Sequence, residues 1–116
     1  MKLTSVPDPK HVAVQAWLTT ILQETCPKGW EVDVFTEKPY ENYKIDVYAR
    51  YFHRAKRKEK LVFYECQTDL NNEDFTNKTK TLIKVYRIDV RIIDLNKVPN
   101  DIREAHEYLK GLVIGI

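Results

Sequence analysis

Residues 43–67 read YKIDVYARYFHRAKRKEKLVFYECQ and decide the fold, because two strand-forming runs flank a strongly basic segment. The first run places Asp46 among apolar and aromatic residues, and the second run ends at Glu65 and Gln67. An acidic residue inside a strand is costly to bury unless it is paired or binds a cation. Because side chains alternate along a strand, Glu65 and Gln67 are predicted to share a face, and Asp46 joins them if the two strands pair. Two carboxylates at one point predict a site for a hard cation such as Mg²⁺ or Mn²⁺.

The rest of the sequence predicts a single α/β domain with the element order α-β-β-β-α-β-α. Residues 30–36, 43–52 and 60–67 are predicted to form antiparallel hairpin strands, and residues 37–42 are predicted to be a loop. Residues 88–95 are a β-branched run, which predicts a fourth strand that is buried on both faces. The helix before this strand predicts that it pairs in parallel with the third strand. The predicted architecture is a mixed central sheet flanked by helices.

Capping residues and apolar spacing predict three helices. The first helix opens at Asp8, which can cap it, and is followed by a proline at the first helical position. The second helix follows the capping-rich residues 69–72, and the third is predicted to end at Gly111 as its C-cap. Two apolar stripes at helical spacing are predicted to face the core, namely Val14, Trp17, Leu18, Ile21 and Leu22 on the first helix and Phe75, Thr79, Leu82, Ile83 and Tyr86 on the second.

The composition limits the class of protein. The chain has 116 residues, of which 43% are apolar and 31% are charged, and this is typical of one globular domain. No run is long and apolar enough for a signal peptide or a membrane span, so we expect a cytoplasmic, intracellular protein with no membrane partner. Cys26 and Cys66 lie in no metal-ligand spacing and are predicted to be buried or half-buried thiols in a reducing compartment.

The net charge of +2 conceals one strongly basic segment. Residues 50–60 contain six basic side chains and one acidic side chain, whereas the other 105 residues hold 13 basic and 16 acidic side chains. Clustered positive charge is typical of a surface that binds a polyanion. The alternative is a solvated hairpin tip, where lysines collect because nothing excludes them. The basic residues of this segment are Arg50, Arg54, Lys56, Arg57, Lys58 and Lys60.

The element order, with Asp46 in the second strand and Glu65-Cys66-Gln67 in the third, resembles the PD-(D/E)xK, or restriction-endonuclease-like, superfamily. The small size is similar to that of archaeal Holliday-junction resolvases and related nucleases of archaea and their viruses. The resemblance covers about residues 9–95 and implies a metal-dependent endonuclease that acts on DNA, with RNA not excluded. It also implies that Asp46 and Glu65 bind one or two Mg²⁺ or Mn²⁺ ions, with the backbone carbonyl of Cys66 as a further ligand.

The third strand departs from the family pattern at Gln67. The family usually has a lysine there that orients or activates the attacking water, and glutamine cannot supply positive charge. Gln67 is therefore expected to position the water, and a lysine of the following helix, Lys78, Lys80 or Lys84, is expected to reach the scissile phosphate instead.

The first helix and the second strand depart as well. Resolvases often have a glutamate in the first helix, where this chain has Gln15, with His11 one turn earlier. We expect Gln15 to hydrogen-bond metal-bound water without adding charge. The proline-aspartate pair of the family is absent, since Lys44 and Ile45 precede Asp46.

Three functions remain open from the sequence. The first is a DNA endonuclease whose basic segment, beside the carboxylates, holds the phosphate backbone without reading bases. The second is a catalytically inactive nucleic-acid-binding module of the same fold, and the third is a protein-interaction domain whose apolar C-terminus docks a partner. The carboxylates have an ordinary alternative too, in which Asp46 is a surface residue paired with Lys44 or Arg50.

A homodimer is the expected assembly, because a two-fold dimer presents two sites to the two strands of a DNA substrate. The apolar tail, residues 112–116, is predicted to supply the contact surface together with Ile102, Ala105 and Leu109. The alternative is that the tail completes the core of the monomer.

Overall fold

The computed structural model describes residues 8–113, which form a four-stranded mixed sheet with helices on both faces. The helices are α1 (Pro9–Glu24), α2 (Glu73–Lys84) and α3 (Ile102–Leu112), and the strands are β1 (Trp30–Tyr40), β2 (Tyr43–His53), β3 (Lys58–Gln67) and β4 (Asp89–Asp94). A short 3-10 helix, Leu95–Lys97, follows β4. The predicted α/β class and the order α-β-β-β-α-β-α are confirmed.

The sheet has the strand order β1-β2-β3-β4. The pairs β1–β2 and β2–β3 are antiparallel, and β3–β4 is parallel, as the intervening helix predicted. The described chain therefore leaves β1 and β4 at the two edges of the sheet.

Helix α1 begins where the sequence predicted, because the Asp8 side chain accepts the backbone N–H of Lys10 and Pro9 occupies the first helical position. Its apolar stripe is buried against one face of the sheet, where α3 also packs. Helix α2 covers part of the opposite face, where Phe63 and Leu82 belong to a second apolar cluster. The end of β3 thus lies between α1 on one side and α2 on the other.

Strand β1 is longer than predicted, since it continues to Tyr40 through the segment that was expected to be a loop. A proline in a strand argues against that strand, because proline has no N–H for the sheet. Pro39 pairs with Lys44 of β2. Because β1 is an edge strand, Pro39 is tolerated there, and the connection to β2 shrinks to the two residues Glu41 and Asn42.

Three further expectations are wrong. Strand β4 is not buried on both faces, because it lies at an edge of the described sheet and Ile92 is 45% exposed. Gly111 does not end α3, because the helix continues to Leu112 and Val113 is its C-cap. Ile83, predicted to face the core, is exposed.

The C-terminal surface differs from the one predicted for a dimer. Ala105 and Leu109 are fully buried within the chain, and Val113 joins the same core. Ile102 is 62% exposed and Leu112 is also exposed, so these two remain on the surface. Residues 114–116 of the predicted contact surface lie outside the described residues.

Candidate active site

The alternation of side chains along β2 breaks at Asp46. Val47 packs in the core beneath α1 and α3, whereas Ile45 packs in the cluster beneath α2. Residues two apart in a regular strand point to the same face, so the strand is locally twisted between them. The regular pairing of β2 with β3 also ends here, at the pair formed by Val47 and Tyr64. Asp46 therefore lies at a boundary between the two faces of the sheet.

Two hydrogen bonds from backbone to carboxylate continue the contact between β2 and β3 beyond this point. The Asp46 N–H donates to Glu65 Oε2 at 3.3 Å, and the Cys66 N–H donates to Asp46 Oδ2 at 2.9 Å. Each carboxylate thus accepts the N–H of the opposite strand in place of a carbonyl. This exchange holds Asp46 and Glu65 side by side, as the sequence predicted.

Glu65 is a deeply buried carboxylate, with a side chain that is 1% exposed. Its Oε1 forms an ion pair with the ammonium group of Lys78 on α2, which also donates to the Lys44 carbonyl at 2.7 Å. Burial and the neighbouring charge of Asp46 raise the pKa of Glu65 to about 7, although Lys78 acts in the opposite direction. Of the three lysines of α2 that were expected to reach a phosphate, Lys78 lines the cleft, whereas Lys80 and Lys84 are exposed outside it.

Helix α1 contributes two side chains to the same cluster. His11 Nε2 lies 3.3 Å from Asp46 Oδ2. Gln15 is buried, and its Nε2 donates to the Asp46 carbonyl at 3.3 Å and to Glu37 Oε1 at 3.1 Å. Gln15 therefore positions protein groups around Asp46, and its amide N–H groups are engaged with protein atoms.

Glu37 is a member of the cluster that the sequence did not reveal. It lies across from Asp46, between the pairs that Thr36 and Lys38 form with β2, and its φ of 52° places it in the left-handed region. Its Oε2 also lies 3.4 Å from the ammonium of Lys44. The signal that would have found it is the hairpin register, which was hidden because β1 was predicted to end before Glu37.

Gln67 and Cys66 complete the floor of the site. Gln67 Oε1 accepts the backbone N–H groups of Thr68 and Asp69, at 2.9 and 3.4 Å, and so closes the turn after β3. Burial, together with the charges of Asp46 and Glu65, raises the pKa of the Cys66 thiol. The thiol therefore stays protonated and is a poor metal ligand, which leaves the backbone carbonyl as the group that Cys66 can offer.

These residues line an open cleft of about 340 Å³ between α1, α2 and the end of β3. Three carboxylates reach it, from Asp46, Glu65 and Asp74, against the single ammonium of Lys78, so the cleft favours cations. A larger hollow of about 840 Å³ runs along α3 and contains none of the predicted site residues.

The donor set fits magnesium better than a metal that needs many protein ligands. Within residues 8–113, no three His, Cys, Asp or Glu side chains are grouped as ligands for one ion. Asp46 and Glu65 can supply two carboxylates, and Mg²⁺ is usually bound by one or two carboxylates while it keeps several waters. The tight closed coordination that zinc prefers is not provided by these two side chains.

The basic segment lies away from this cleft, contrary to the expectation that it sits beside the carboxylates. The turn between β2 and β3 spans residues 54–57, and His53 is the seventh residue after Asp46 along β2, or about 23 Å away at 3.3 Å per residue. Three of the six basic residues form ion pairs within the chain, Arg50 with Asp33, Arg54 with Glu31 and Lys60 with Asp89. Lys56, Arg57 and Lys58 are exposed at the tip. The part of the segment that remains for a polyanion is therefore this tip.

No helix within residues 8–113 is both long enough and apolar enough to cross a membrane. Cys26 and Cys66 are free thiols, half-buried and buried as expected. The chain matches no protein-family model, no curated protein and no solved structure.

Proposed function

We propose that this chain is an endonuclease that uses Mg²⁺ or Mn²⁺ to hydrolyse phosphodiester bonds in DNA. The observation that carries the proposal is the pair Asp46 and Glu65, held side by side at the floor of an acidic cleft. The raised pKa of Glu65 supports it, because a carboxylate that is hard to ionise beside another carboxylate gains most from a cation. The element order and the resemblance to the PD-(D/E)xK superfamily point the same way.

The chain's own residues have distinct roles in this proposal. Asp46 and Glu65 bind the cation, and the carbonyl of Cys66, the residue after Glu65, is a third oxygen. His11 and the Cys66 N–H both contact Asp46 Oδ2, which leaves Oδ1 to bind the cation. When bound, a divalent cation supplies polarisation of a phosphodiester oxygen and activation of the attacking water. Lys78 supplies the positive charge that Gln67 lacks.

The exposed basic tip supports a nucleic acid as substrate. The turn that carries Lys56, Arg57 and Lys58 begins about 23 Å along β2 from Asp46, which corresponds to about seven base pairs at 3.4 Å per step. A duplex that contacts both the cleft and the tip must extend by at least that length. Single nucleotides and short fragments cannot engage both regions at once.

A second candidate is a nucleic-acid-binding module of the same fold without catalysis. One observation favours it: the ion pair with Lys78 already compensates the charge of Glu65, and Gln67 Oε1 is engaged in the turn after β3. In this case the carboxylates serve only to join the ends of β2 and β3. This module would bind DNA in the absence of a divalent cation and would not cut it.

The test is cleavage of a panel of linear, flap and four-way-junction DNA by the purified chain with Mg²⁺, with Mn²⁺ and with a chelator. We expect cleavage that requires the cation and that is lost in Asp46→Asn and in Glu65→Gln. Asparagine keeps an oxygen that can accept the Cys66 N–H, so the loss would not reflect a broken strand pair. Glu107→Gln, at an exposed position of α3, is the matched control and should cut normally. Cleavage at the wild-type rate by both site variants would overturn the proposal, and DNA binding without cleavage would favour the second candidate.

A further inference from the structure

The two oxygens of Glu65 have different partners. Oε2 accepts the N–H of Asp46 at 3.3 Å, so it is part of the join between β2 and β3. Oε1 meets the ammonium of Lys78, and apart from this ion pair it has no hydrogen-bond partner among residues 8–113. Oε1 is therefore the oxygen that Glu65 can offer to a cation without disrupting the strands. It is also the oxygen that Lys78 holds.

The backbone of Lys78 is fixed, and its ammonium has two partners, Glu65 Oε1 and the Lys44 carbonyl at 2.7 Å. Phe75, Thr79 and Leu82 bury one face of α2, so the helix cannot shift without exposing apolar surface. The Lys78 side chain is 22% exposed and lines the cleft, so its ammonium has open space to enter. Rotation about the side-chain bonds, with loss of the hydrogen bond to the Lys44 carbonyl, moves the charge from Glu65 towards solvent.

We propose that Lys78 and a divalent cation compete for Glu65 Oε1, so that cation binding releases the Lys78 ammonium into the cleft. This inference rests on the proposed function, because it requires the cation to bind at Asp46 and Glu65. The exchange replaces the singly charged ammonium beside the buried carboxylate by a doubly charged cation shared with Asp46, so Glu65 stays compensated throughout. The released ammonium then lies on the open side of the same cleft, where a phosphate bound to the cation would meet it.

The exchange would explain why the lysine at this site belongs to α2 and not to β3. A lysine at position 67 would be fixed two residues after Glu65 on the strand, whereas Gln67 there closes the turn. Lys78 instead stabilises the buried carboxylate until the cation takes over that role. Its charge is thereby delivered to the substrate only in the cation-loaded protein.

The test is the chemical reactivity of individual lysines in the full chain, measured by trace acetylation and mass spectrometry with a chelator and with saturating Mg²⁺. An ion pair favours the protonated form of an amine, which does not react with the acetylating reagent, so Lys78 should react on the order of tenfold more slowly than Lys80 in the chelator. Mg²⁺ should raise the reactivity of Lys78 to the level seen in Glu65→Gln, where its partner is removed. Lys80 and Lys84, exposed on the same helix, are internal controls and should not change.

Parallel titration calorimetry with Mg²⁺ separates this inference from the proposed function. In Asp46→Asn, which keeps the pair of Glu65 with Lys78, we expect Mg²⁺ binding to be lost and Lys78 to stay protected with or without Mg²⁺. If the wild-type chain binds Mg²⁺ and Lys78 keeps its slow rate, the competition is refuted while the nuclease proposal stands. If the wild-type chain binds no Mg²⁺, both are overturned.

Discussion

Replacing Glu65 with glutamine should stabilise the folded chain at pH 8, although it removes a residue of the site. The pKa of Glu65 rises from 4.5 in the unfolded chain to about 7 in the folded one, chiefly because of burial. Between these values the folded chain holds a proton that the unfolded chain has lost, so the free energy of unfolding falls as the pH rises through this window. One pKa unit corresponds to about 1.4 kcal/mol, so the stability lost above neutral pH is about 3 kcal/mol.

Glutamine has nearly the shape of a protonated glutamic acid and cannot ionise, so the variant should keep the stability of the low-pH form. We expect Glu65→Gln to exceed the wild type by about 1 kcal/mol near pH 5 and by about 3 kcal/mol near pH 8. Lys78 loses its partner in the variant, but its partly exposed side chain can turn to solvent. The gain would follow the common pattern in which a functional group is held at a cost in stability.

Urea unfolding followed by circular dichroism, in buffer with a chelator, measures this difference. A slope of about 1–3 kcal/mol per molar urea converts 3 kcal/mol into a midpoint shift of roughly 1–3 M near pH 8. Glu107→Gln is the matched control and should give the same small difference at both pH values, because Glu107 is exposed. If the difference between Glu65→Gln and the wild type is also the same at both, Glu65 does not titrate near neutrality and the argument fails.

Three further predictions concern the surface and the first helix. Replacing Lys56, Arg57 and Lys58 together with alanine should flatten the slope of log affinity for duplex DNA against log salt by about two to three units; an unchanged slope in filter-binding assays would show that the tip does not contact phosphates. Gln15→Leu should lower the free energy of unfolding by about 1–2 kcal/mol in urea titrations, because the Asp46 carbonyl and Glu37 lose a buried donor; unchanged stability would contradict that role. Light scattering at micromolar concentration should give a dimer mass that Ile102→Glu reduces to a monomer mass, and a monomeric wild-type chain would refute the predicted homodimer.

The order of elements was predictable because its signals are local. Asp8 and Pro9 start α1. The apolar stripe at helical spacing identifies the buried face of α1, and it does so without knowledge of which surface the helix packs against. The proximity of Asp46 and Glu65 was predictable as well, because β2 and β3 were predicted to be neighbouring antiparallel strands and such strands bring residues of one side by side with residues of the other. These inferences need only the period of the side chains and the order of the strands.

The chemistry around the carboxylates was less accessible, because it depends on departures from regular geometry. The alternation of β2 breaks at Asp46 and the backbone of Glu37 takes a positive φ, and neither event has a signature in residue type. The distance between the basic tip and the cleft follows from the length of β2, which was predicted within one residue, so the expectation that the basic segment lies beside the carboxylates overlooked what that length implies. The sequence predicted that Lys78, Lys80 or Lys84 reaches the scissile phosphate, but it did not predict the ion pair of Lys78 with Glu65, which depends on how α2 packs.

The most direct test of the account is the binding of Mn²⁺ to the purified chain, followed by electron paramagnetic resonance of the free ion near pH 8. Mn²⁺ can be counted in solution without any nucleic acid, so the measurement isolates the site from the substrate. The account predicts that the wild-type chain and Glu107→Gln bind Mn²⁺ and that Asp46→Asn and Glu65→Gln do not. Equal binding by all four proteins, or no binding by the wild-type chain, would contradict the assignment of Asp46 and Glu65 as the metal site.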